Sequence, residues 1–132
     1  MKYEFPSGSY YEGDILNEKF EGVGSFYFNN GDVYNGNFKD DMFNGYGEYI
    51  YKSGLKYMGN FENDEFHGIG MLSLDKNCIE KGKFQKGKRV GKFYQIDNKD
   101  YYLIIYNNDK MERYEKVEKE QIPEDKLPII ID

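Results

Sequence analysis

The sequence predicts an all-β fold: a single-layer antiparallel meander of repeated β-hairpins, drawn out into a twisted ribbon and followed by a short C-terminal α-helix. Three observations carry this. Glycine and aromatic residues recur with a period of 23. Within each period the apolar residues stand two apart, the spacing of one face of a strand. The composition also disfavours helix. The chain has 15 Gly, 14 Tyr and 10 Phe among 132 residues, and no Ala, the strongest helix former. Rings favour strands and glycines favour tight turns.

The repeats define the domain organisation. A half repeat occupies residues 2–10, where Tyr3, Phe5 and Gly8 precede Phe26, Phe28 and Gly31 by one period. Full units follow at 11–33, 34–56 and 57–79, and a degenerate unit at 80–102. Gly13, Gly36, Gly59 and Gly82 share a column, as do Gly22, Gly45, Gly68 and Gly91, and then Gly24, Gly47 and Gly70. Ile15, Phe38, Phe61 and Phe84 form one apolar column; Phe20, Phe43 and Phe66 form another. In the last unit Glu80 replaces the leading Tyr, Phe93 replaces a Gly, and basic residues fill the turn.

Each unit splits into two strands. Tyr34, Gly36 and Phe38 face one way, as do Gly47, Tyr49 and Tyr51, with turn-forming residues at 40–45 and at Ser53-Gly54. Connections this short permit only antiparallel neighbours. One face is then aromatic and glycine-rich, and the other carries Glu12, Asp14, Asn35, Asn37, Asn60, Lys81 and Lys83. Glycine leaves room for a ring from the adjacent strand to lie over its backbone. A buried ring removes about 150–250 Å² from water, enough for one layer to hold itself together.

Residues 101–107 read as an end strand, completing a β-sheet domain over 1–107, and 108–132 as a helix and extended tail. Met111, Tyr114 and Val117 are spaced by three, Asn108 or Asp109 can cap, and Pro123 terminates. The helix and the tail Ile129–Asp132 are expected to cover the sheet's open edge or its aromatic face, or else to dock into another molecule.

Several function classes lose support. A net charge of −6 argues against general nucleic-acid affinity. The longest apolar run, 101–106, is too short to cross a bilayer. The first residues lack the apolar core of a secretory leader, and a single cysteine cannot form an internal disulfide, so the expected location is cytoplasmic. His67 and Cys78 fall on different turns, and no metal-ligand spacing or paired acid and base stands out. The Gly-x-Gly pairs lack the third glycine of a nucleotide loop. No enzyme, catalytic residue, cofactor or metal is expected.

At this point the residues match a family. YEGDI…FEGVGSF, YNGNF…FNGYGEY and YMGNF…FHGIGML resemble MORN (membrane occupation and recognition nexus) repeats over roughly residues 2–100. The chain's size and half repeat are similar to small MORN proteins of the retinophilin type. The resemblance implies an adaptor or scaffold at the cytoskeleton or the inner face of a membrane. A motor-tail helix is one partner it implies, since retinophilin-like members bind myosin tails. MORN repeats also occur fused to lipid kinases and lysine methyltransferases, which implies as an alternative an accessory module or fragment of a larger enzyme.

Two surfaces are candidates for binding. Phe26, Phe28, Tyr34, Tyr49, Tyr51 and Tyr57 are expected to line a groove for a peptide or helix, because contiguous rings on a soluble surface mark partner sites. Lys81, Lys83, Lys86, Lys88, Arg89 and Lys92 form a local basic cluster that could meet anionic lipid phosphates. Alternatively those lysines guard a sheet edge. Self-association into a homodimer, through an end strand such as 101–107 or through the apolar face, is a further expectation.

Overall fold

A computed structural model describes residues 1–129. Among these residues eleven strands form one antiparallel sheet in strict chain order. They are β1 (Lys2–Glu4), β2 (Tyr10–Leu16), β3 (Lys19–Tyr27), β4 (Val33–Lys39), β5 (Met42–Ile50) and β6 (Lys56–Glu62), then β7 (Glu65–Asp75), β8 (Cys78–Gln85), β9 (Lys88–Asp97), β10 (Asp100–Asn107) and β11 (Lys110–Val117). The all-β meander is as the sequence predicts.

The hairpin turns are tighter than the turn-rich stretches suggest. In β4–β5 only Asp40 and Asp41 leave the strands, both in the left-handed region at φ 50° and 68°. That is the type I′ geometry whose twist matches antiparallel strands. Beyond the turn, Phe38 pairs with Phe43 and Gly36 with Gly47, so Asn37 alone faces Asn44, Gly45 and Tyr46. Gly45, at φ 93°, supplies the conformation this bulge needs. The interruption recurs in β2–β3, β6–β7 and β8–β9. Its backbone is satisfied locally: the Tyr34 hydroxyl donates to the Asn37 carbonyl at 2.6 Å, and Asn37 Nδ2 donates to the Tyr46 carbonyl at 3.0 Å.

The second glycine of each pair serves a different need. Gly13, Gly24, Gly36, Gly47, Gly59, Gly70 and Gly82 pair in succession across the sheet as one transverse row. Rings lie on this row. A Cβ on Gly47 would stand 2.4 Å from the Tyr34 hydroxyl oxygen and 2.5 Å from its Cε1. Tyr11, Tyr34 and Tyr57 are wholly buried there, each stacked at 3.9 Å on Phe20, Phe43 or Phe66.

The C-terminal part departs from expectation. Residues 110–117 form an edge strand, not a helix, and 101–107 lies inside the sheet as part of β10. Asn108 and Asp109, at φ 47° and 69°, make the same two-residue turn as Asn63-Asp64. The turn delivers the chain to the open edge of β10, whose unpaired backbone groups outweigh a stripe of only three apolar residues. Among the described residues, helical geometry is confined to single 3₁₀ turns at Lys119–Gln121 and Glu124–Lys126. The segment then covers neither the edge nor the aromatic face: Leu127 packs with Met58, Ile79 and Ile96 on the opposite face. Of the tail Ile129–Asp132, residues 130–132 lie outside the described residues.

Candidate partner-binding groove

Strand alternation and the period of 23 bring equivalent rings side by side. Phe28 lies 4.7 Å from Phe26 and 5.7 Å from Tyr49, and Tyr49 lies 4.7 Å from Tyr51. These four predicted residues form one half-buried string. Phe5 extends it, 5.6 Å from Phe26 and 4.8 Å from Tyr3. Tyr3 and Phe5 are not among the expected groove residues, although their place one period before Phe26 and Phe28 is the signal that puts them there. Tyr34 and Tyr57 do not line the surface. Both are 0% exposed and fill the sheet beneath Phe43 and Phe66. Burial holds both hydroxyls well above the ordinary phenol range, so they remain neutral hydrogen-bond donors.

Three depressions follow the string. The largest, about 730 Å³, is bounded by Tyr3, Phe5, Ile15, Glu18, Phe20, Phe26 and Asp41. The next, about 340 Å³, shares Phe26 and Asp41 with it and adds Phe28, Phe38, Phe43 and Asp64. A third, about 290 Å³, shares Asp64 and continues along Tyr49, Tyr51, Phe61, Glu65 and Phe66. Together they make a groove with an apolar floor and an acidic rim. Among the described residues, no basic side chain lines any of the three.

The rim acids are held in place by backbone. Asp41 Oδ1 accepts the Phe20 N–H at 2.8 Å while its own N–H donates to the Phe20 carbonyl at 3.1 Å. Asp64 makes the same pair of contacts with Phe43, and Asp109 with Arg89. Each turn thus clasps the hairpin before it. Along the string, Asp32 accepts the Lys52 N–H and the Tyr49 hydroxyl, both at 2.8 Å. Those bonds hold its carboxyl below the usual range; burial first, then Asp32, raises the Tyr49 hydroxyl.

The basic cluster is not one patch. Arg89 turns to the aromatic side, where it donates to Glu80 at 2.6 Å and to Asp109 at 2.9 Å and lies over the Tyr106 ring at 4.1 Å. It is therefore committed internally and not offered to a phosphate. Lys81, Lys83 and Lys92 sit on the opposite face around a cavity of about 380 Å³, with Ile69, Val90, Tyr94, Lys126 and one acid, Asp125. Lys81 donates to the Asp125 carbonyl at 2.7 Å. Lys86 is in the β8–β9 turn beside Glu62, Glu65 and His67, and Lys88 starts β9.

The degenerate repeat is an exchange rather than a decay. With Tyr replaced by Glu80 and Gly by Phe93, the covering ring comes from the other strand. A Cβ on Gly82 would meet Phe93 Cδ1 at 2.5 Å. Glu80, 0% exposed in the vacated site, also accepts from Gln95 at 3.1 Å and Tyr106 at 3.1 Å.

His67 stands in β7, not on a turn, half exposed, with Nε2 3.0 Å from Glu62. Cys78 begins β8 and is buried; burial, then Asp97, Asp75 and Glu80, push its thiol up to about 11, so it stays protonated and inert. Among the described residues no helix is long and apolar enough to cross a membrane.

The MORN repeat profile matches residues 11–33, 34–56 and 57–78, more than half of the chain. The chain belongs to the MORN-repeat family. The MORN repeat is a non-catalytic repeat module, found in protein-interaction and membrane-associated proteins. The flanking half repeat and the exchanged fourth unit continue its hairpin geometry outside the matched span. No curated protein matches the chain.

Proposed function

We propose that this MORN protein is a non-enzymatic scaffold, of the small retinophilin-like kind, whose aromatic groove takes a basic amphipathic helix of a cytoskeletal or membrane-associated partner. The observation that carries the reading is the acidic rim over an apolar floor, with no basic side chain among the described residues that line it. Spacing supports a helix. Successive repeats are two strands, about 9.6 Å, apart. A heptad advances about 10.5 Å, so apolar residues seven apart stay in step with the rings.

The test is fluorescence anisotropy with a labelled synthetic Leu/Lys heptad peptide and its Leu/Glu counterpart. The Lys peptide binds and the Glu peptide does not. The Phe28→Ala/Tyr51→Ala double variant, with unchanged circular dichroism, weakens binding about tenfold or more, as expected for removal of two half-buried hot-spot rings. Equal binding of the two peptides, or no loss in the folded variant, refutes the groove.

The cavity ringed by Lys81, Lys83 and Lys92 favours a second reading, contact with anionic phospholipid. Co-sedimentation with phosphoinositide liposomes at low salt, lost in Lys83→Glu/Lys92→Glu, supports it; no sedimentation of the unaltered chain ends it.

A further inference from the structure

The two edges of the sheet differ. Strand β1 is three residues long, whereas β11 presents eight with no strand on its outer side among the described residues. A strand of that length with an open ladder is a template for another. Asp97 and Asp100 flank a two-residue turn and are a hydrogen-bonded pair. By alternation Tyr101, Leu103 and Ile105 of β10 bond β11, and their partners Val117, Glu115 and Arg113 direct their backbone groups inward. Tyr114 and Lys116 therefore point their N–H and C=O groups outward.

From this edge we infer that the protein forms a two-fold dimer by antiparallel pairing of β11 with β11 of a second copy, centred on Tyr114. In that register Tyr114 meets Tyr114, Arg113 meets Glu115, Glu112 meets Lys116 and Met111 meets Val117. Opposite charges face each other and apolar faces apolar. Shifting the centre to Arg113 sets that residue against itself and Lys110 against Lys116; shifting it to Glu115 sets Glu115 against itself. Facing like charges are destabilising, so the strand's own charge order selects one register. The axis carries Lys116 and Val117 onto Glu112 and Met111, where the bulge at Ile105/Tyr106 interrupts the strand, so the regular ladder on both copies is Arg113–Glu115 and the outer pairs meet as side chains flanking it.

The side chains are available. Tyr114 is 48% exposed and already stacked on Tyr102 at 4.9 Å, so the paired Tyr114 rings extend an existing stack. Arg113 and Glu115 pair along their own strand at 2.8 Å, the first exposed and the second half-buried, and the second copy places a further opposite charge beside each. The contact is mainly backbone ladder and ion pairs, so the dimer is moderate in affinity and weakens with salt.

Sedimentation velocity of the full chain at low salt, over a series reaching submillimolar protein, reads the mass against the 15.6 kDa of one chain. The expected result is a dimer that dissociates on dilution and on addition of salt. Glu115→Arg alters two pairs by symmetry and weakens it about tenfold or more. The charge exchange Arg113→Glu/Glu115→Arg restores it. Hydrogen-bonded antiparallel pairs bring Cα atoms to about 5.5 Å, within disulfide range. Tyr114→Cys therefore cross-links to itself on mild oxidation, whereas Glu112→Cys and the native chain do not. A monomer throughout, a dimer indifferent to Glu115→Arg, a variant not rescued by the exchange, or equal cross-linking at 112 and 114 overturns the inference.

Discussion

Replacing Gly47 by Ala adds one methyl group to an extended strand, where Ala for Gly is ordinarily worth about 0.5–1 kcal/mol in favour of folding. Here that Cβ would lie 2.4–2.6 Å from the hydroxyl oxygen, Cε1 and Cζ of Tyr34. The ring must leave its site. With it go the 2.6 Å bond to the Asn37 carbonyl and the 3.9 Å stack on Phe43. A lost hydrogen bond costs about 1 kcal/mol and partial exposure of a large apolar side chain about 2 kcal/mol more. Gly47→Ala should therefore destabilise by about 3 kcal/mol, lowering Tm by about 10 °C. Tyr34→Ala alone should cost about 3–5 kcal/mol, as large-to-small changes of buried rings do. The double variant should cost no more than Tyr34→Ala, because the ring that collides is gone. Urea denaturation of the four proteins measures the coupling, expected at about 3 kcal/mol. Additive effects would sink the reasoning, since glycine would then not be making room for the ring.

Three further outcomes are expected. Glu80→Gln leaves Arg89 without its buried counter-charge and should cost about 3 kcal/mol by the same denaturation, as breaking a buried pair does. Asp32, whose carboxyl is depressed by the Lys52 N–H and the Tyr49 hydroxyl, binds its proton less readily folded than unfolded. Its contribution is thus present above the unfolded value of about 4 and lost as pH falls through the lower folded value. A Tm–pH profile should show a shallower acid limb in Asp32→Asn. The Cys78 thiol, pushed up to about 11 and buried, should resist a thiol reagent at pH values below that until the chain unfolds; fast native-state labelling would contradict its placement.

What the sequence disclosed and what it hid follow one line. The period, the hairpins and the ring-over-glycine packing were legible because each rests on residue types repeated in fixed columns, and Phe26, Phe28, Tyr49 and Tyr51 fall together as those columns require. Which rings stay at the surface was not legible. Tyr34 and Tyr49 face the same way, yet only Tyr34 lies across a glycine from the next strand. Arg89 read as one of a basic run because its partners Glu80, Tyr106 and Asp109 come from β8, β10 and the turn after it. The final strand is hidden in the sequence: Asn108-Asp109 repeats Asn63-Asp64, but Met111, Tyr114 and Val117 carry a helical spacing of three that the open edge of β10 overrides. The turn-to-hairpin clasp had a visible sign, Asp41 and Asp64 in one column, but no rule of local spacing links residues 21 apart.

The clasp makes each hairpin answerable chiefly to the one before it. Duplicating a unit such as 34–56 in tandem therefore demands no new kind of junction, because Asp41 and Asp64 already show both halves of the joint. Each copy would lengthen the channel by about one helical heptad. Such a protein is a molecular ruler whose graduations can be added by gene duplication, so the reach of its ligand becomes a quantity that evolution can count.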